Sequence, residues 1–260
     1  MITDPLLAAL AATGLSWFST TLGASGVFIS GRPSARLTGL LLGFAAGMML
    51  AVSFLSLLPD ALHQAQQLGQ PPWGIAILGF VCGIAALAAL NRLAPHAHPH
   101  EPGQRPDGPP SALPVAVLIA LALTIHNIPE GLAVGITAAA AAMDGHPASA
   151  TALTLGIAVH NAVEGLLVAY PLLAAGMSRG KAFLIGTGSG FVEPIAGMLG
   201  AVFISNIAPA VPFALALAAG AMAFVSVEEL IPEALRAGSH RASLAIMSGM
   251  VALMLLEALI

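Results

Sequence analysis

The chain has 260 residues, 58% of them apolar and only 8% charged, with a net charge of −4 and a mean hydropathy of +0.93. A soluble domain carries roughly 25% charged residues, so this composition excludes a protein that covers its surface in water, and singly scattered basic residues exclude a nucleic-acid footprint. The one cysteine, Cys82, excludes a disulfide framework, and the start MITDPLL lacks the basic segment of a cleaved signal peptide.

Eight apolar runs approach the ~20 residues that span a bilayer. They are expected at about Leu6–Ile29, Leu37–Leu58, Trp73–Leu93, Leu113–Met143, Ala148–Met177, Ala182–Ile207, Ala210–Ile231 and Ser243–Ile260. The fourth and fifth exceed a perpendicular span, which predicts tilt, bending or protrusion. All eight basic residues fall in odd-numbered connections: Arg32 and Arg36, Arg92 and Arg105, Arg179 and Lys181, Arg236 and Arg241. The even connections carry Asp60, His63, Asp144 and His146 instead. The positive-inside rule then puts the odd connections in the cytoplasm and both termini outside. The reading is an all-α polytopic membrane protein, a single transmembrane domain over 1–260. Its longest connection, RLAPHAHPHEPGQRPDGPPSALP, is a Pro/Gly-rich flexible linker with His96, His98 and His100 at alternating positions. These histidines either hold a borderline metal transiently or are incidental.

Residues 45–62, AAGMMLAVSFLSLLPDAL, and 218–235, AAGAMAFVSVEELIPEAL, agree at ten of eighteen positions. They lie on the second and seventh runs and so cross the membrane in opposite senses. This predicts inverted repeats, helices 1–3 and 6–8 around a central pair, a recurring plan of secondary transporters with the substrate at the repeat interface. On that plan the two outer triads are expected to rearrange about the central helices.

The central pair carries the polar groups. LTIHNIPEGLAV (123–134) and IAVHNAVEGLLV (157–168) each place a His and a Glu four residues apart, on one helical face. His126 with Glu130 and His160 with Glu164 therefore project together, while Asn127 and Asn161 point about 100° away. Pro129 removes a backbone donor and is expected to open helix 4 at the level of its ligands. Glu193, in SGFVEPIAG, adds a third carboxylate at membrane depth. Each would cost roughly 2.5–3.5 kcal/mol if left alone, on the order of 8–10 kcal/mol together. No Lys or Arg lies within the spans at that level to pair with them, so a bound cation is the simplest partner. Imidazole plus carboxylate suits Zn²⁺, Fe²⁺ or Mn²⁺ better than Ca²⁺ or Mg²⁺.

Weaker signals surround this core. Met49 and Met222 occupy matching repeat positions, suited to packing or to soft-metal ligation. Glu228 and Glu229 sit toward the cytoplasmic end of helix 7, and Asp60 and His63 toward the outer end of helix 2; they line an exit and an entrance or are simply solvated. GTGSG at 186–190 lacks the Lys-[ST] ending of a phosphate loop and reads as helix packing.

HNIPEG on a fourth helix, HNAVEG on a fifth, eight spans and a His-bearing loop after the third resemble the ZIP (Zrt/Irt-like) metal transporters. GFAAGMMLAVSFLSLLPDAL is similar to bacterial members of the GufA/ZupT kind. The resemblance implies a non-enzymatic carrier of divalent transition metal into the cytoplasm by alternating access, Zn²⁺ first and Fe²⁺, Mn²⁺ or Cd²⁺ beside it, in the plasma (bacterial inner) membrane. It implies a binuclear site: His126, Glu130, His160, Glu164 and Met49 for one ion, Asn127, Asn161 and Glu193 for a second, with Glu130 and Glu164 bridging. It further implies a release path through Glu229 and Glu228, no organic cofactor, and a homodimer. Val163 stands where a second proline would complete the motif, so helix 5 is expected to bend less than helix 4. The competing reading is an intramembrane zinc-dependent hydrolase, although no HExxH is present.

Overall fold

The computed structural model describes residues 2–29, 34–94, 109–145, 147–236 and 239–260, which form eight helical rods and, among the described residues, no strand. Helix 1 is Pro5–Ala24 with a 3₁₀ turn Ser25–Phe28; helix 2 runs Ala35–Ala51, Val52–Leu57 and Leu58–Gln67; helix 3 is Pro72–Leu93. Helix 4 is Val115–Asp144, helix 5 Pro147–Ala174, and helix 6 Arg179–Gly190 followed by Val192–Asn206. Helix 7 runs Val211–Val225, Ser226–Leu230 and Ile231–Arg236, and helix 8 is Ser239–Leu259. Each expected span has its rod. Among the described residues, seven rods are long and apolar enough to cross a membrane, and helix 4 is 30 residues long. His96, His98, His100, Arg105, Arg32 and His146 lie outside the described residues.

Local chemistry sets the rod ends. Asp4 accepts a hydrogen bond from Leu7 N at 2.9 Å ahead of Pro5, and Ser34 and Ser178 cap helices 2 and 6 in the same way. Gly145, at φ +73°, terminates helix 4 in the left-handed conformation. Outward faces are apolar, with Phe18, Leu22, Ile77, Leu199 and Leu255 exposed as a lipid-facing surface requires.

Helix 1 packs on helix 5 and helix 6 on helix 4, and these four form one group; helix 2 packs on helix 8 and helix 3 on helix 7, forming another. If helices 1, 2, 3 and 4 correspond to 6, 7, 8 and 5, every pair maps onto its mirror. The inverted repeat therefore exists in the packing. The expected triads are not packing units: helices 1 and 6 leave their sequence neighbours and join the central pair. The two groups meet where helix 2 faces helix 5 and helix 7 faces helix 4.

Glycines make the pairs possible. A Cβ at Gly47 would stand 1.9 Å from Ile246 O, and one at Gly249 2.0 Å from Phe44 O. The mirror pair repeats this, Gly83 at 2.0 Å from Leu217 O and Gly220 at 2.1 Å from Phe80 O. In lipid, helices associate by close backbone approach rather than by apolar burial, and reciprocal glycines provide it.

Helix 4 continues as α-helix through Pro129, so the expected opening there does not occur; the lost backbone donor leaves the rod intact. Irregular backbone falls instead in helices 2 and 7, as π-turns at Val52–Leu57 and Ser226–Leu230. These are equivalent repeat positions. Each contains a buried serine, Ser53 or Ser226, that donates to the carbonyl four residues earlier (Met49 or Met222) at 2.9 Å. Gly83→Leu is expected to lower stability by about 1–3 kcal/mol or more through overpacking, measured as a reduced thermal midpoint of the detergent-solubilised chain.

Candidate metal site

The glycine that ends each motif explains why other helices reach it. A Cβ at Gly131 would lie 2.5 Å from Glu193 O, and one at Gly165 2.0 Å from Thr20 O. The residue after Glu130 thus seats helix 6, and the residue after Glu164 seats helix 1. Helix 6 is interrupted at Phe191, and Glu193 falls in the first turn beyond the break, followed by Pro194.

His126, Asn127, Glu130, His160, Asn161, Glu164, Glu193 and Met49 are all buried. Glu130, His160 and Glu164 converge, each offering a ligand atom within 4.8 Å of the others. His160 Nε2 is 3.4 Å from Glu130 Oε1 and 3.7 Å from Glu164 Oε2. A cavity of about 10 Å³ between them is lined by Met49, His126, Glu130, His160 and Glu164, room for roughly one water-sized particle. All four oxygens of Glu130 and Glu164 are buried without a hydrogen bond, and among the described residues neither glutamate pairs with a Lys or Arg. Burying a polar group without a partner is costly, and this buried His/Glu cluster fits a metal site.

Glu193 is held differently. Asn161 Nδ2 is 2.8 Å from each of its oxygens, the Ser16 hydroxyl donates to Oε2, and Thr20 Oγ1 donates to Oε1 at 3.4 Å. Asn127 Nδ2 donates to Ser189 O at 3.1 Å. Both asparagines are thus anchored through their amide nitrogens, and both Oδ1 atoms are buried without a hydrogen bond.

A family model described as "ZIP Zinc transporter" matches residues 6–114 and 109–257. The chain is 35% identical to "Zinc transporter ZIP11" of Xenopus tropicalis, over 98% of this chain and 97% of that one. It is 40% identical to "Zinc transporter ZupT" of Corynebacterium glutamicum over 78% of this chain and 80% of that one. With "Zinc transporter ZIPB" of Bordetella bronchiseptica it shares 37% identity, over 86% and 72%. The chain belongs to the ZIP family.

Around the centre of this ZIP chain the outlying residues divide. His126 turns toward helix 7, its Nε2 2.8 Å from Glu229 Oε1, and Asn91 of helix 3 donates to the same oxygen at 3.1 Å. Glu228 is exposed and does not join them. Asp60 is half-buried, and His63 is exposed beside Gln67 at 3.4 Å. Ser56 donates to Glu257 of helix 8. Met222 is fully buried in the core. The sequence reading missed Ser16, Thr20, Asn91 and Glu257. A carboxylate in the apolar tail LMLLEALI and a Ser/Thr pair four residues apart on helix 1 were the available signals.

Asn161→Ala strips two donor contacts from a buried carboxylate and is expected to cost about 1–3 kcal/mol. Asn206→Ala, at an exposed site bonded only to its own helix at Val202 O, should change stability by less than about 0.5 kcal/mol. Thermal midpoints of the two variants, measured side by side, check the contrast.

Proposed function

We infer that the chain carries Zn²⁺ across the membrane into the cytoplasm, with Fe²⁺, Mn²⁺ and Cd²⁺ as further substrates. The observation that carries this reading is the buried convergence of Glu130, His160 and Glu164, whose four carboxylate oxygens lack hydrogen bonds. Relatives named as zinc transporters support it. His126, Glu130, His160 and Glu164, with Met49, hold one ion. Asn127, Asn161 and Glu193 hold a second, and Glu130 and Glu164 bridge the two. A cavity of about 10 Å³ suits ions far better than the peptide or ester an intramembrane hydrolase would have to admit.

Most of these ligands belong to the group of helices 1, 4, 5 and 6, while Met49 and Glu229 belong to the group of helices 2, 3, 7 and 8. Displacement of one group along the other exposes the ligands to alternate sides, in place of the triad rearrangement that sequence suggested. Glu229, backed by Asn91, receives the ion from His126 on the cytoplasmic side, with Glu228 further along that side. Asp60, His63 and Glu257 face the arriving ion outside. Odd connections in the cytoplasm, outward termini, placement in a bacterial inner membrane and assembly as a homodimer complete the reading.

Proteoliposomes containing a metal-sensitive dye test it. Zn²⁺ added outside should give a saturable signal, and Glu130→Ala or Glu164→Ala should abolish it with the protein still inserted; normal uptake by either variant would refute the assignment. Ligation needs neutral imidazole and ionised carboxylate, so protons compete with metal. Equilibrium binding is accordingly expected to weaken from pH 7 to pH 5, and pH-independent binding would contradict a His/Glu site.

A further inference from the structure

Helix 1 contributes no residue to the paired motifs, yet the Ser16 side chain bonds to both Glu193 and Asn161 beside them. It is fully buried, its hydroxyl donates to Glu193 Oε2, and its oxygen accepts from Asn161 Nδ2 at 2.8 Å. The same Nδ2 lies 2.8 Å from both Glu193 oxygens. One amide nitrogen with two hydrogens therefore faces three acceptors.

An amide nitrogen cannot ligate a cation; only Oδ1 can. In the arrangement observed, Asn161 presents its donor side to Glu193, which is where a cation would have to bind. Building on the binuclear reading above, we propose that Ser16 is the positioning residue that lets Asn161 turn from hydrogen-bond donor to metal ligand at the second position. Its hydroxyl has one proton, committed to Glu193, and lone pairs free to keep the amide. When an ion reaches Glu193, Asn161 releases the carboxylate, retains one N–H on Ser16 and brings Oδ1 to the ion. Glu193 keeps its Ser16 donor throughout. Without Ser16 the amide has no acceptor other than the carboxylate and stays on it, blocking the position.

Thr20, one turn further along helix 1, does not substitute. Its Oγ1 is 3.4 Å from Glu193 Oε1 and 3.4 Å from Ser16 O, and no hydrogen bond joins it to Asn161. Its contribution is to seat the helix: a Cβ at Gly190 would lie within 2.9 Å of the Thr20 side chain. Helix 1 is thus clamped at the break in helix 6, and the Ser16 hydroxyl is a fixed point about which the amide moves.

Calorimetric titration of the purified full-length chain in detergent with Zn²⁺, and separately with Mn²⁺, tests this. Wild type should bind two ions. Ser16→Ala should keep the first at unchanged affinity and weaken the second by about tenfold or more, as expected for loss of a hydrogen bond to a charged group. Ser16→Thr should restore the second ion. A merely structural role would weaken both ions together, and that result overturns the proposal. So does a Ser16→Ala protein that binds two ions normally, or a wild type that binds only one. A wild type that binds none refutes the metal-site reading itself. Should the alanine protein aggregate, Ser16→Cys keeps the volume while weakening both hydrogen bonds. It is read with Mn²⁺, which thiols do not favour, and the same outcomes decide.

Discussion

Negative charge in the middle of a lipid-embedded protein must be compensated, and here the compensation takes two forms. Glu193 is surrounded by donors from Ser16, Thr20 and Asn161. The four oxygens of Glu130 and Glu164 accept no hydrogen bond, and the basic group beside them is the His160 imidazole at 3.4 and 3.7 Å, an arrangement that fits a bound cation. The rest of the architecture follows from holding these carboxylates close together with no Lys or Arg beside them among the described residues. Gly131 and Gly165 bring two further helices onto the pair. The basic residues stay at the rod ends, where the membrane surface permits them.

The inverted repeat is written at several levels that agree. The packing pairs mirror one another, the π-turns of helices 2 and 7 fall at equivalent residues, and the serine-to-carbonyl bonds inside them have equal lengths of 2.9 Å. Asn91 and Glu257 each lie eight residues after the glycine, Gly83 or Gly249, that seats their helix. Their partners, Glu229 and Ser56, are themselves equivalent repeat positions. One carboxylate therefore stands toward each side of the membrane, on helix 7 at one end and helix 8 at the other.

Much of this was legible in sequence, because a bilayer leaves few options for a backbone that must satisfy its own hydrogen bonds. The spans, the repeat and the convergence of Glu130, His160 and Glu164 follow from hydropathy, alternation of charge and the i, i+4 spacing of His and Glu. Which rods pack together did not follow, since periodicity names a face and not its neighbour. Helices 1 and 6 were therefore grouped with their sequence neighbours instead of with helices 5 and 4. Pro129 was expected to break its helix, but a proline removes one bond and the surrounding rods hold the remainder. The true irregularities, at Val52–Leu57 and Ser226–Leu230, carry no glycine or proline within them. Ser16 was invisible because a serine in an apolar helix usually satisfies itself on its own backbone.

The central claim is that a divalent ion sits among His160, Glu130 and Glu164 in the small cavity between the two helix groups. Zinc-edge X-ray absorption on the loaded, purified chain tests it most directly. The account predicts a first shell of nitrogen and oxygen at about 2.0–2.2 Å with the outer-shell scattering of imidazole, both absent from a Glu130→Ala/Glu164→Ala double variant. An imidazole-free, all-oxygen shell, or one that the double variant retains unchanged, would contradict it.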